Sequence, residues 1–277
     1  AVSHNILLCA FLPLLKFSQK DPALTNSYRA IAGSSLILKV FEKTILLLWG
    51  KLLSSDGLQF GYKEGSSTTQ ASWLVHEVIG HYLREGSNPI CGLLDCSKAF
   101  DLAKWDKMFN LVLLRKIPAI VARAMIFTYQ EQYAWCRWGN EKSDIFPIVN
   151  GTRQGSMASP FLWAVFCDPL LARLRALGVG CHYAGMWMGA QLYCDDVLLL
   201  APTRRAMELM IQEAEAWAAE YNVTFSTVPD PSKSKCKIVF MCGRNTRLEK
   251  PATIFLCGRP LPWVASATHL GHEIHES

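Results

Sequence analysis

Long uninterrupted apolar runs are missing from this sequence, although 51% of it is hydrophobic and mean hydropathy is positive at +0.15. A bilayer-crossing helix needs roughly 20 consecutive apolar residues. Residues 6–17 are broken by Pro13 and Lys16, with no basic flank before them and no small-residue cleavage site after. Residues 31–53 carry Lys39, Glu42, Lys43 and Lys51. Neither predicts a signal peptide or a transmembrane helix. No C-x-x-C pair occurs among the ten cysteines, which sit mostly inside apolar segments and read as reduced core residues of an intracellular protein. Charge is scarce too: 18% of residues are charged and the net balance is +5, which permits a nucleic-acid partner without requiring one. Internal repeats, low-complexity segments and phosphate-loop spacing are all absent. The first residue is Ala1 rather than Met, so the chain reads as part of a longer polypeptide whose missing parts would cover some of the apolar surplus.

What is present alternates irregularly between helical and strand periods, predicting an α+β fold. The spacing of Leu36, Val40, Phe41, Thr44, Leu47 and Leu48 predicts an amphipathic helix over 34–53. Further helices are expected over 68–83, 104–115, 118–133, beyond Pro160 (with a kink or cap at Asp168-Pro169) and over 207–221. Strands are expected at 90–95, 145–150, 186–193, 197–201, 238–241 and 254–257.

Two adjacent acids, Asp195 and Asp196, fall between two of these strands, at the tip of a hairpin. Side by side they repel, which leaves two readings: a solvated turn, or a site completed by a cation. Oxygen-only ligation suits Mg²⁺ or Mn²⁺. Asp95 ends a strand about a hundred residues earlier, and if strand and hairpin are neighbours in one sheet, three carboxylates converge. That requires Asp95 to lie within about 10 Å of Asp195.

Seven motifs between about residues 25 and 275 resemble, in order, those of the reverse transcriptases. Leu94-Asp95-Cys96-Ser97-Lys98-Ala99-Phe100-Asp101 is similar to the first palm motif. Arg153-Gln154-Gly155-Ser156-Met157-Ala158-Ser159-Pro160 resembles R-Q-G-x-x-x-S-P, and Tyr193-Cys194-Asp195-Asp196 resembles Y-x-D-D. Tyr28-Arg29-Ala30-Ile31 and Phe60-Gly61-Tyr62-Lys63 resemble the finger motifs Y-R-P-I and F-G-F-R. Asp230-Pro231-Ser232-Lys233-Ser234-Lys235 resembles N-x-x-K-T in the fourth palm motif, and His269-Leu270-Gly271 the Y-L-G of the primer grip. The forms are most like those of non-LTR (LINE-type) retrotransposon enzymes. Departures are Ala30 for Pro, Lys63 for Arg, Ser66 for a basic residue, Asp230 for Asn and His269 for Tyr.

The resemblance implies a right-hand polymerase, with fingers, an antiparallel palm sheet backed by helices, and the thumb largely absent. Implied segments are fingers at 1–89, the first palm motif at 90–101, an insertion at 102–149, palm at 150–240 and the primer-grip hairpin at 241–277. It implies an RNA-directed DNA polymerase within a polyprotein that has further domains, acting in cytoplasm or nucleus with no membrane. Its partners would be an RNA template, a DNA or RNA primer and dNTPs. Asp95, Asp195 and Asp196 would bind two Mg²⁺ ions, with Mn²⁺ as the alternative. Phe100 would exclude a 2′-hydroxyl; Gln154 and Gly155 would lie against the nascent base pair. Lys63, or Arg29 or Arg84 in its place, would meet the triphosphate, and Lys233 would protonate the leaving pyrophosphate. Arg153 would touch template phosphate or serve the structure. Alternatives are another palm polymerase and a decayed or domesticated RNA-binding fragment. His76 and His81 do not make H-E-x-x-H, because five residues apart on a helix they diverge by about 140°. His269, His272 and His275 are weighed as a zinc site and set aside, since a strand separates such a series.

Overall fold

The computed structural model describes residues 4–16, 21–97, 99–243 and 252–276; Phe17, closing the first apolar run, and Lys98, in the first motif, lie outside them. Two compact units interleave in sequence. One comprises Ala1–Ser54 with Phe100–Phe166, the other Ser55–Ala99 with Cys167–Ser277.

In the first unit, strand Leu8–Leu15 lies between Tyr28–Gly33, antiparallel to it, and Tyr133–Trp138, parallel to it. Only Phe146–Pro147 of the strand expected over 145–150 pairs, against Tyr133 and Ala134. Pro147 has no N–H to extend that ladder. Ser35 starts the helix Leu36–Trp49 by accepting the Leu38 N–H at 3.2 Å. The helix forms as its spacing predicts, but its predicted apolar face is the exposed one. Leu36, Val40, Leu47 and Leu48 are all more than half exposed, while Leu38, Glu42 and Ile45 are buried. Glu42 explains the inversion. Its carboxylate is the centre of a buried ion-pair network, described below, and a helix has only one face to bury.

The second unit is built on a six-stranded sheet. Its main order is Trp263–Val264, Lys237–Phe240, Ile90–Ser97, Asp196–Ala201 and Ala190–Tyr193, with Thr224–Phe225 also paired to Ile90–Ser97. All pairings are antiparallel except that of the first two strands. Cys91, Leu198, Leu200 and Val239 pack against Val75, Val78 and Ile79 of the helix Thr68–Arg84, which opens on a Ser67–Gln70 capping box. Helix Arg204–Tyr221 also packs on the sheet. It is capped by Thr203, ends at left-handed Asn222, and buries the predicted Met207, Met210, Ile211, Ala214, Trp217 and Tyr221. The strand expected over 186–193 is two: Met186–Trp187 turns back on His182–Tyr183, and Ala190–Tyr193 begins afresh. The Trp187 indole donates to the Val179 carbonyl at 2.7 Å and its ring closes over Gly189, which breaks the run. Helix Ser159–Ala176 runs on through Pro169 without ending there. No helix among the described residues is long and apolar enough to cross a membrane.

His269 closes the strand Ser266–His269, 5% exposed, with both ring nitrogens unpartnered. Burial, then His272 and His76, push its pKa down to about 4. The unfolded imidazole, near 6.5, binds a proton that the folded one refuses. Stability from this group is therefore intact above pH 6.5 and lost as pH falls toward 4, about 2 kcal/mol by pH 5. Urea unfolding at pH 7 and pH 5 should show the pH-dependent change in unfolding free energy differing by about that amount between wild type and His269→Leu.

Candidate active site

Asp95 stands in strand Ile90–Ser97 as the direct cross-strand partner of Asp196. Such partners share a sheet face with Cα atoms about 4.5–5.5 Å apart. Asp195 is one residue earlier, so its Cα lies no more than about 9 Å from that of Asp95, inside the reach the sequence required. Tyr193 pairs with Asp196, leaving Cys194 and Asp195 as a two-residue loop. The apolar run from Val197 to Ala201 is buried at every position, which leaves Asp196 as the one half-exposed residue of its strand.

Burial, followed by the charges of Asp195 and Asp95, lifts the Asp196 carboxyl to about 6, with Lys235 opposing. Burial, followed by the same acids, drives the thiol of Cys96 upward. Negative charge is thus concentrated beyond what the surrounding protein compensates. The donors are oxygen-only and suit a hard divalent cation. Among the described residues, however, no three His, Cys, Asp or Glu side chains are already arranged as a metal-binding set. Instead the Lys235 ammonium sits 3.1 Å from Asp95 Oδ2.

Lys235 closes the stretch that resembles the fourth palm motif. The fourth-motif resemblance pointed to Lys233, yet that side chain pairs with Asp230 at 3.6 Å at the end of a short 3₁₀ turn. Register would have found Lys235. Leu93 pairs with Lys237, so Asp95, two residues on, faces Lys235. The Cys236 thiol brackets Asp95 as well, accepting its N–H at 3.3 Å.

Lys63 also lies in this second unit, where its ammonium donates to the carbonyls of Ser55 and Asp56 at 3.3 and 3.0 Å.

The other expected site residues belong to the first unit. Phe100 is half-buried, its ring 4.9 Å from that of Trp163. Gln154 Nε2 donates to Asp101 Oδ1 at 3.1 Å, and its carbonyl accepts the Ala32 N–H at 2.7 Å. Gly155 has φ +118°, and a Cβ there would meet the Ala32 carbonyl oxygen at 2.8 Å, so only glycine fits the turn. Arg29 is exposed on its strand. Arg153, by contrast, is 3% exposed. It reaches Glu42 at 3.3 Å, donates to the carbonyl and hydroxyl of Thr128 and stacks over Tyr129 at 4.3 Å. Glu42 in turn accepts from the Ser156 hydroxyl at 2.8 Å and the Met157 N–H at 2.9 Å. Of the two roles open to Arg153, these contacts support the structural one.

Residues 18–274 match the family model described as Reverse transcriptase (RNA-dependent DNA polymerase). The chain is 27% identical over 274 residues to the Putative 115 kDa protein in type-1 retrotransposable element R1DM of Drosophila melanogaster, covering 95% of the chain and 24% of that protein. It is 23% identical over 226 residues to the Retrovirus-related Pol polyprotein from type-1 retrotransposable element R2 of Nasonia vitripennis, covering 79% of the chain and 22% of the relative. The chain therefore spans about a quarter of the length of the curated relatives it matches. Among solved structures, apo telomerase from Candida tropicalis, truncated from its C-terminal domain, superposes with a TM-score of 0.63 at 10% identity, covering 99% of this chain and 54% of that one. Telomerase from Candida albicans, in complex with a TWJ fragment of telomeric RNA, gives 0.54 at 9% identity over 94% and 45%. At such identities the likeness is one of fold, that of a right-hand polymerase.

Proposed function

The chain belongs to the reverse transcriptase family, of the non-LTR retrotransposon (LINE) type, and from that premise we propose that it is an RNA-directed DNA polymerase. It adds dNTPs to the 3′-end of a DNA or RNA primer on an RNA template, as one part of a retrotransposon polyprotein with further domains. The observation that carries this reading is the register that sets Asp95 against Asp196, beside Asp195. The family uses divalent metal ions. We assign two Mg²⁺, replaceable by Mn²⁺, to these three carboxylates; when bound, such ions supply activation of the 3′-hydroxyl and charge neutralisation at the departing pyrophosphate.

The chain's own residues do the rest. Phe100, braced by Trp163, is our sugar gate. Gln154 and Gly155 lie against the nascent pair, the glycine allowing close backbone approach. Arg29 offers a planar fork for the triphosphate that Lys63, engaged with two carbonyls, does not. Arg153 positions the loop that carries Gln154. In this reading the first unit acts as fingers and the second as palm with primer grip. Ten free cysteines suit a reducing compartment, cytoplasm or nucleus.

Lys235, held at Asp95, takes the proton-donor role that the motif had given to Lys233. Primer extension on an RNA template with Mg²⁺ tests the whole reading. The wild-type chain should extend with dNTPs and not with NTPs, and a chain inert with every divalent ion would sink the proposal. In the same assay Lys235→Gln should lower kcat by about a hundredfold, the usual contribution of a positioned acid. Lys233→Gln should change it less than about threefold.

A further inference from the structure

The Phe60-Gly61-Tyr62-Lys63 segment resembles a motif expected to meet the triphosphate, yet its contacts run to the acid-bearing hairpin instead. Leu58 and Phe60 exchange backbone hydrogen bonds with Leu192 at 2.9 Å each, so that Gln59 lies alongside Leu192 in a parallel bridge. The Gln59 side chain is fully buried. Its Oε1 accepts from the Gly61 N–H at 2.9 Å and from the Cys194 N–H at 3.2 Å. Two backbone donors on one oxygen leave no ambiguity about which way the amide faces.

Cys194 is the residue that needs this help. It has φ +59°, a conformation that costs a side-chain-bearing residue about 1–2 kcal/mol and that two-residue hairpins normally give to glycine. Opposite it, Gly61 approaches so closely that a Cβ would lie 2.6 Å from both the amide nitrogen and the sulfur of Cys194. Two contacts, the Gln59 acceptor and the close approach of Gly61, thus converge on the residue immediately before Asp195.

We infer that Gln59 is a positioning residue for the reaction proposed above: its amide holds Cys194 in the left-handed region and so fixes where Asp195 stands. The inference rests on the polymerase reading for its consequence and on the hairpin contacts alone for its geometry. Gln59 reaches no substrate itself. It acts through one peptide link, where a displacement of about 1 Å is enough to slow a reaction a hundredfold.

The test pairs Gln59→Met, which keeps length and loses the acceptor, with Gln59→Glu, which keeps it, and with Cys194→Gly, whose backbone adopts positive φ unaided. Hydrogen exchange at the Cys194 amide should speed up at least tenfold in Gln59→Met, with the melting temperature nearly unchanged, and return most of the way in Gln59→Glu. Primer extension by Gln59→Met should fall about 30- to 100-fold in kcat while KM for dNTP stays within twofold. Half-maximal activity should need several times more Mg²⁺, and Mn²⁺ binding followed by electron paramagnetic resonance should weaken in parallel. In the Cys194→Gly background the same substitution should cost less than about fivefold. Unchanged exchange in Gln59→Met overturns the inference, as does an equal loss of kcat in both backgrounds. If the wild-type chain binds no Mn²⁺ and extends nothing, the polymerase reading fails, while exchange still decides whether the clamp exists.

Discussion

Asp195→Asn should abolish primer extension, by about a thousandfold or more, without harming the fold. The replacement is isosteric and removes one anionic ligand, and divalent-ion stabilisation of the transition state is worth several kcal/mol, each 1.36 kcal/mol being a factor of ten. Asp95→Asn should do the same. The informative control is Asp196→Asn. Its carboxyl is raised to about 6, first by burial and then by its acidic neighbours, against an ordinary 3.8. The folded chain therefore holds this proton more readily than the unfolded one, and the group's contribution to stability declines as pH rises from about 4 to 6 and is flat above. Two pKa units correspond to about 3 kcal/mol, which solvent screening of a partly exposed group reduces to about 1–2. In the presence of EDTA at pH 7.5, Asp196→Asn should thus raise the unfolding free energy by about 1–2 kcal/mol and flatten its pH profile between 4 and 6. Gain of stability beside loss of activity is the signature of charges kept for function. Extension by Asp195→Asn at more than a tenth of the wild-type rate would refute the metal assignment.

The parts of the carboxylate cluster were legible because they are local signals: Asp95 ends one apolar run and Asp195-Asp196 tip the turn between two others. Whether they meet was conditional on strand and hairpin being neighbours, and the pairing of Asp95 with Asp196 is what joins them. Helix Arg204–Tyr221 was legible for a similar reason, as its apolar positions repeat at one period and its ends carry Thr203 and Asn222. Failures arose where a partner distant in sequence decides the outcome. The helix Leu36–Trp49 has two faces that could be buried, and periodicity favours the more apolar one. Only the ion pair with Arg153 makes the Glu42 face the inner one. Motif spacing favours Lys233, whereas the strand pairing of Leu93 with Lys237 is what sets Lys235 beside Asp95. Gln59 escaped because an amide in a loop has no periodic signature at all; its role exists only once Leu192 is beside it.

Glu42→Ala should destabilise the first unit by about 3–5 kcal/mol, because it leaves the Arg153 guanidinium buried without its anion. The two side chains are 4% and 1% exposed, so water cannot take over. Arg153 Nε already lacks a partner, which makes the guanidinium still more dependent on Glu42. A loss of that size is a large fraction of the 5–15 kcal/mol that holds a typical domain together. Arg153→Met should cost a comparable amount, since the carboxylate would keep the Ser156 and Met157 donors but lose its cation. Combined as Glu42→Ala with Arg153→Met, the loss should be well below the sum, because no buried charge then remains unpaired. Urea unfolding of the four proteins measures this directly. Additive losses would mean that the two groups act independently, and the inverted burial of the helix Leu36–Trp49 would need another cause. A coupling of 1 kcal/mol or more would instead tie the orientation of that helix to the loop carrying Gln154 and Gly155. The same buried pair would then set both which face of the helix turns inward and how the turn carrying Gln154 and Gly155 is held against Ala32.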